Sequence, residues 1–442
     1  MTNVLTVMRW LWPLLALSVG LVLASITRQR LQTFFQQIDL RGADGKLPRR
    51  VSVAKISPYL KRVTFKSKVT LPQWEKAKGD LEQFFGQRIY SIEQHRKDVR
   101  KVDIFLVQEE LPNLIPWDDK YMVERRKFAV GEGYKGPVVW DATVMPHGLV
   151  AGATGGGKTV LLRCIIHQAI QKKFNVTVLD FKGGGDYASV EREAAKYRDL
   201  EKGYGSIVLS DPVEADKLLT ALNVEVRGRA DAFKKAGVAN IDEYNALGGY
   251  LFVPWLLVID EAAEILDVKP ADKAEKELYT RINQSLRTLA RTSRAAGVHI
   301  LMGFIRPDAN VLDGQIKNNL LWRVCGYFAD PAASRIALDN DKATGLPPEV
   351  KGRFIIGEDE TQAYYLPSTV EHGGQANGGA SGSEADAGPT EAEGLSSTPS
   401  ASSVLVASGE NPDMGVSGYA EGQPKQEMAI DAKQSPEQRP DP

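Results

Sequence analysis

The stretch GATGGGKT, residues 152–159, joins a short apolar run, GLVAG, to an apolar helical pattern, TVLLRCIIHQAIQ. It fits the phosphate-loop pattern G-x-x-x-x-G-K-[ST], and its chemistry follows from its residue types. Gly152, Ala153, Thr154, Gly155, Gly156 and Gly157 keep side chains out of the way, so backbone N–H groups can wrap phosphate oxygens at the positive end of a new helix. Lys158 would reach the β- and γ-phosphates, and the Thr159 hydroxyl would ligate Mg²⁺. About a hundred residues later, in WLLVIDEAAE, four apolar residues lead to Asp260 and Glu261. Asp260 would hold Mg²⁺ through its water shell. Glu261 would orient and deprotonate an attacking water, a base that hydrolysis needs and mere binding does not. ATP as substrate and Mg²⁺ as cofactor follow.

Two further stretches bear on this chemistry. INQSLRTLARTSRAAG carries Arg287, Arg291 and Arg294 at helical spacing. One of them is a candidate cation for the transferring phosphoryl group of a neighbouring subunit, although a solvated helix face needs the same residue types. VLDFKGGGDY, residues 178–187, looks at first like a second phosphate loop. No Lys-Ser or Lys-Thr follows its glycines, and Asp186 would repel phosphate where a helix should begin. The apolar run reads instead as a strand that ends at Asp180 and Lys182 on the ligand edge of a parallel sheet. Lys182 then either neutralises phosphate or pairs with an acidic neighbour, and a plain turn is the other reading.

The elements that must position these groups form a recognisable order. GLVAG, VTVLD, LLVID, GVHILMGFI and RFIIG are short apolar runs separated by helical patterns. That alternation predicts an α/β domain over residues 146–367, a mostly parallel sheet with helices on both faces. Residues 51–112 read as a small α/β domain and residues 113–145 as a connector. Residues 31–50 read as a basic linker. From residue 368 to 442 the chain turns to Gly, Ser, Ala, Pro and Glu, with about twelve acidic and three basic side chains, and is expected to be disordered. The net charge of −1 therefore averages an acidic tail with a body of about eight positive charges. Residues 28–101 are the most basic stretch, with about eighteen Lys or Arg against seven Asp or Glu, suited to nucleic acid, to anionic lipid or simply to solvent.

Trp10–Thr27 is uncharged and mostly apolar, near the lower length limit for a membrane span. A cleaved signal peptide is the alternative. One Arg precedes the segment and Arg28, Arg30, Arg41, Lys46, Arg49 and Arg50 follow it, which puts the body on the cytoplasmic side of a retained single-pass anchor, residues 1–30. Cys164 and Cys325 lie in apolar runs without metal-ligand spacing and read as buried free thiols.

The stretches PHGLVAGATGGGKTVLL, LLVIDEAAE and RAAGVHILMGFIRPDANVLDGQIKNNLLWRV, followed by ASRIALD, resemble the motor domain of the FtsK/SpoIIIE family over roughly residues 130–366. Pro146, His147, Arg294 to Gly297 and His299 match its motifs. The resemblance implies a RecA-like P-loop NTPase that assembles as a homo-hexamer and translocates DNA, duplex and with little sequence specificity, in conjugative transfer of a mobile element or in DNA segregation. One departure stands out, because the family's Gln before Arg-Pro is Ile305 here. An isoleucine side chain cannot hydrogen-bond phosphate or water. Either a neighbour such as Arg306 senses nucleotide, or the coupling of hydrolysis to movement is altered.

One anchor, one small domain and one motor look most like the FtsK-like coupling proteins of conjugative elements, with a relaxase or channel proteins as implied partners. The D-F-K-G-G stretch is also similar to the ATPases of type VII secretion, which makes protein export the alternative. A nucleotide-regulated scaffold without productive hydrolysis is the third reading.

Overall fold

The computed structural model describes residues 28–183, 185–197, 206–308, 311–312 and 314–367. The expected anchor span and the acidic tail lie outside them. Among the described residues no helix is long and apolar enough to cross a membrane.

Strands β1 (Arg49–Lys55), β2 (Leu60–Lys66), β3 (Ile89–Gln94) and β4 (Lys101–Val107) form an antiparallel sheet in the order β1-β2-β4-β3. Helices Leu71–Lys76 and Lys78–Phe85 and the helical residues 28–37 cover one face. The basic linker expected over 31–50 is therefore part of this domain. Leu31 and Phe35 are one helical turn apart, and with Leu40 they are buried beside Phe65 and Trp74. Two apolar residues four apart make a stripe even in a polar segment.

The second sheet has eleven strands. They are β5 (Ile115–Pro116), β6 (Lys127–Gly133), β7 (Gly136–Asp141), β8 (His147–Ala151), β9 (Asn175–Leu179), β10 (Ser206–Leu209), β11 (Trp255–Ile259), β12 (Val298–Phe304), β13 (Trp322–Gly326), β14 (Arg353–Ile356) and β15 (Asp359–Tyr365). Their order is β10-β9-β11-β12-β8-β13-β14-β15-β6-β7, with β5 beside β15. The run from β10 to β13 is parallel, and from β13 to β7 every pairing is antiparallel. The sheet is thus mixed rather than mostly parallel, and much of the expected connector belongs to it. The end of the connector, GPVVWDA, reads as a strand and is β7, whereas β6 escapes the apolar-run criterion because glycines and a glutamate interrupt it and a strand covered on both faces must be apolar throughout.

Both faces of the parallel part are covered. Val150, Val178, Val258 and Leu301 pack under helix Lys158–Gln171. Leu149, Ile259 and Met302 point the other way, into helices Pro212–Ala236 and Lys273–Thr292. The alternation along each strand assigns its two faces to two cores. All parallel strands end at one edge of the sheet, where α/β proteins bind ligands.

Candidate nucleotide-binding site

The phosphate loop leaves β8 and enters helix Lys158–Gln171. Gly155 and Gly157 take left-handed backbone angles, φ 77° and 99°, which a side chain would strain. Gly157 is constrained a second time, because a Cβ there would sit 2.8 Å from the backbone nitrogen of Gly352. That same nitrogen donates to the Gly156 carbonyl at 2.9 Å, so the segment before β14 buttresses the loop.

Strand β12 separates β8 from β11, and the acidic pair emerges from β11 into the same edge. The Lys158 ammonium donates to the Asp260 carbonyl oxygen and, at 3.1 Å, to Asp260 Oδ1. Thr159 Oγ1 lies 3.5 Å from that carboxylate oxygen. Lys158, Asp260 and Glu261 are all buried. Gly303, inside β12, allows this crowding, since a Cβ there would fall 3.0 Å from Lys158 Nζ and against the Asp260 carbonyl. A glycine inside an apolar strand, as in HILMGFI, was the available signal for such a close approach.

The VLDFKGGGDY stretch contributes two contacts. Lys182 Nζ stands 3.4 Å from Glu261 Oε2, which resolves its role as pairing with an acidic neighbour. Tyr187 is fully buried and its hydroxyl donates to Asp260 Oδ1 at 2.8 Å. Burial, with the Asp260 charge next to it, pushes the phenol well above its usual pKa and keeps it a donor. Nothing in the sequence singled out Tyr187, because its partner is 73 residues away. Both acids of the site are thus held from one stretch of chain.

Ile305 supplies what its side chain cannot. Its backbone N–H donates to Glu261 Oε2 at 2.8 Å. Arg306 points elsewhere, into an exposed pair with Asp330 at 3.3 Å. Of the candidate arginines, Arg287 and Arg291 line a cleft with Gln284, Gln315 and Asn318 on the outer side of helix Lys273–Thr292. Arg294 donates to the Thr143 carbonyl at 3.3 Å, near the start of β12 and hence at the edge opposite the phosphate loop.

The two motif histidines also sit at that opposite edge. His147 Nδ1 accepts from the Ile300 N–H at 3.1 Å, and burial lowers its pKa to about 4. His299 Nδ1 lies 3.2 Å from the Pro146 carbonyl, and as a carbonyl only accepts, the ring proton is on Nδ1. Both pin β8 to β12. Cys164 and Cys325 are buried, and burial raises each thiol to about 12.

A lysine and a cradle of backbone N–H groups for phosphates, a hydroxyl and a carboxylate for one cation, and a second carboxylate for water together suit a nucleoside triphosphate. The comparisons agree. The FtsK/SpoIIIE family model matches residues 116–254. The structure of the pCW3 conjugation coupling protein TcpA, monomer form with ATPgS, is 35% identical, with a TM-score of 0.56, covering 76% of this chain and 94% of that one. The chain belongs to the FtsK/SpoIIIE family. The DNA translocase SftA of Bacillus subtilis (strain 168) is 32% identical over 245 residues, which is 50% of this chain and 24% of SftA. The DNA translocase FtsK of Oceanobacillus iheyensis is 26% identical over 307 residues, 62% of this chain and 36% of that protein. The chain thus spans about a quarter to a third of the length of these curated relatives.

Proposed function

We propose that this family member is an ATP-driven DNA translocase with a RecA-like motor, serving as a coupling protein in conjugative transfer of a mobile element. The observation that carries this reading is the likeness to a conjugation coupling protein over almost the whole of that protein's solved chain. In the proposed assembly six copies surround the DNA, held to the cytoplasmic membrane by the anchor span before residue 28. A relaxase or channel proteins are the proposed further partners.

The chain's own residues divide the work as follows. Backbone N–H groups of residues 152–157 and the Lys158 ammonium bind the β- and γ-phosphates. Thr159 and Asp260, whose oxygens lie 3.5 Å apart, would hold one Mg²⁺, the threonine hydroxyl as a ligand and the carboxylate through the ion's water shell. Bound there, Mg²⁺ supplies charge neutralisation on the phosphates. Tyr187 keeps Asp260 turned toward that position. Glu261, held through Oε2 by Ile305 N–H and Lys182, presents its other oxygen to the attacking water and takes its proton. Arg291 or Arg294, from a neighbouring subunit, is the proposed cation for the transferring group.

The test is the ATPase rate of the full chain with and without duplex DNA, with Glu261→Gln as the inactive reference. Strong stimulation by DNA is expected. An active enzyme indifferent to DNA would sink the cargo assignment and favour protein export; turnover no higher than that of Glu261→Gln would favour a scaffold.

A further inference from the structure

We propose that the end of the small antiparallel sheet farthest from the motor is a docking surface for the phosphate backbone of duplex DNA. The inference rests on the reading of DNA as cargo and adds a place where it is held.

Antiparallel pairing brings the start of β1, the end of β2 and the start of β4 to one end of that sheet. The register sets Arg49 opposite Lys66, and Lys66 opposite Lys101. Three cations therefore share one rung and one face, although like charges directly opposite destabilise a sheet. The β3–β4 turn adds Arg96, Lys97 and Arg100, and it is tied to the end of β2 by the Ser67 N–H to Arg100 carbonyl bond of 2.9 Å. Asp98 is the one acid in that turn, pairing with Arg100 at 3.0 Å and Lys101 at 3.6 Å. Among the described residues Arg49, Lys66, Arg96 and Lys97 meet no carboxylate within ion-pair distance.

Lys120 facing Asp118, Arg335 facing Asp341 and Lys342 facing Glu358 are surface cations with a carboxylate at hand, and they serve as the contrast. A set of uncompensated cations held on a rigid sheet end, in spite of their mutual repulsion, calls for an external polyanion.

Geometry favours DNA over a lipid surface. The other end of the sheet is bound to the motor, through Tyr90 to Asp359 at 2.6 Å and Ser57 to the Tyr134 carbonyl at 2.5 Å. Along the seven-residue strand β1 the cationic end lies about 20 Å from the end next to Ser57, although Lys135 of the motor reaches as far as Glu93 on β3, at 3.5 Å. The row Arg49, Lys66 and Lys101 crosses three strands, about 10 Å, enough to meet more than one phosphate of a DNA strand. That row also lies on the face away from helical residues 28–37, through which the chain enters the domain. Val63 and Phe65, which alternate with Lys66, are the residues that meet that helix.

The experiment compares the full chain with a variant carrying Arg49→Gln, Lys66→Gln and Lys97→Gln, by fluorescence anisotropy of labelled duplex DNA at several salt concentrations. A control variant removes the same charge from Lys120, Arg335 and Lys342. Each lost phosphate contact should reduce the slope of log affinity against log salt by about 0.9, which at 0.1 M salt is about eight-fold in affinity. The triple variant should weaken by well over tenfold with a flatter salt dependence, and the control should match the wild type. Equal binding by variant and wild type would overturn the site while leaving DNA as cargo. A wild type that does not bind DNA at all would overturn the cargo reading first. Loss of binding to phosphatidylglycerol vesicles, with DNA binding intact, would reassign the surface to lipid headgroups and overturn the proposal.

Discussion

The bond from the Ile305 N–H to Glu261 makes a prediction that separates a side chain from its backbone. Glu261 is 6% exposed, and the 2.8 Å bond is made to a charged acceptor. Hydrogen bonds of that kind contribute about 1.5–3 kcal/mol. At about 1.36 kcal/mol per decade, losing the orientation it supplies should cost about 10- to 150-fold in kcat. Ile305→Ala keeps the donor and should turn over within about threefold of wild type on this reasoning. Ile305→Pro removes the donor and should show the full loss. The assay is steady-state ATP hydrolysis beside binding of a fluorescent ATP analogue, with thermal melting to confirm that each variant is folded. ATP affinity should stay near wild type in both, because Lys158 and the phosphate loop are untouched. A folded Ile305→Pro enzyme with wild-type kcat would refute the role of the N–H. An alanine variant as damaged as the proline variant would show that the side chain, after all, carries it.

Two other predictions test what holds the site. Arg353 is buried and bonds Gln362 at 2.9 Å, Glu360 at 2.5 Å, and the Leu111 and Pro112 carbonyls at 3.1 and 3.2 Å. Arg353→Met strands those groups and should cost about 3–5 kcal/mol in urea unfolding, and Arg353→Lys, which lacks the planar fork, should recover less than half of it. His147 has a folded pKa of about 4 against an ordinary 6.5, so its contribution is complete above pH 6.5 and is lost as pH falls toward 4. That amounts to about 3 kcal/mol, and unfolding measured across this window should show a shallower slope in His147→Asn than in wild type.

Legibility in the sequence followed the range of the interaction. The phosphate loop and the Asp260–Glu261 pair were readable because each motif performs its chemistry within a few consecutive residues. The strands around them were readable because burial on two faces leaves an unbroken apolar run. Tyr187 and Gly352 carried no such mark, for their partners, Asp260 and Gly156, are brought in by the fold from far along the chain. Ile305 illustrates the reverse error. Its side chain looked like a defect, but the function resides in an N–H that every residue except proline possesses. The basic bias of residues 28–101 was visible as composition, whereas its concentration at one sheet end needed the β1–β2–β4 register.

The same register and contacts tie the small sheet to the nucleotide site by a short path. Gly352 supports the phosphate loop through its bond to the Gly156 carbonyl. The next residue, Arg353, clasps the carbonyls of Leu111 and Pro112, just beyond the end of β4. Gln362, opposite Arg353 in the antiparallel pair, completes the link by bonding both the arginine and the Lys351 carbonyl. The small sheet also meets the motor through an apolar cluster in which Leu60, Phe105, Val107 and Leu111 surround Tyr134. Losing a bond to a buried group costs about 1–3 kcal/mol, so the polar contacts from Gly156 through Gly352 and Arg353 to Pro112 hold the phosphate loop and the segment that leads to the small sheet in one fixed relation.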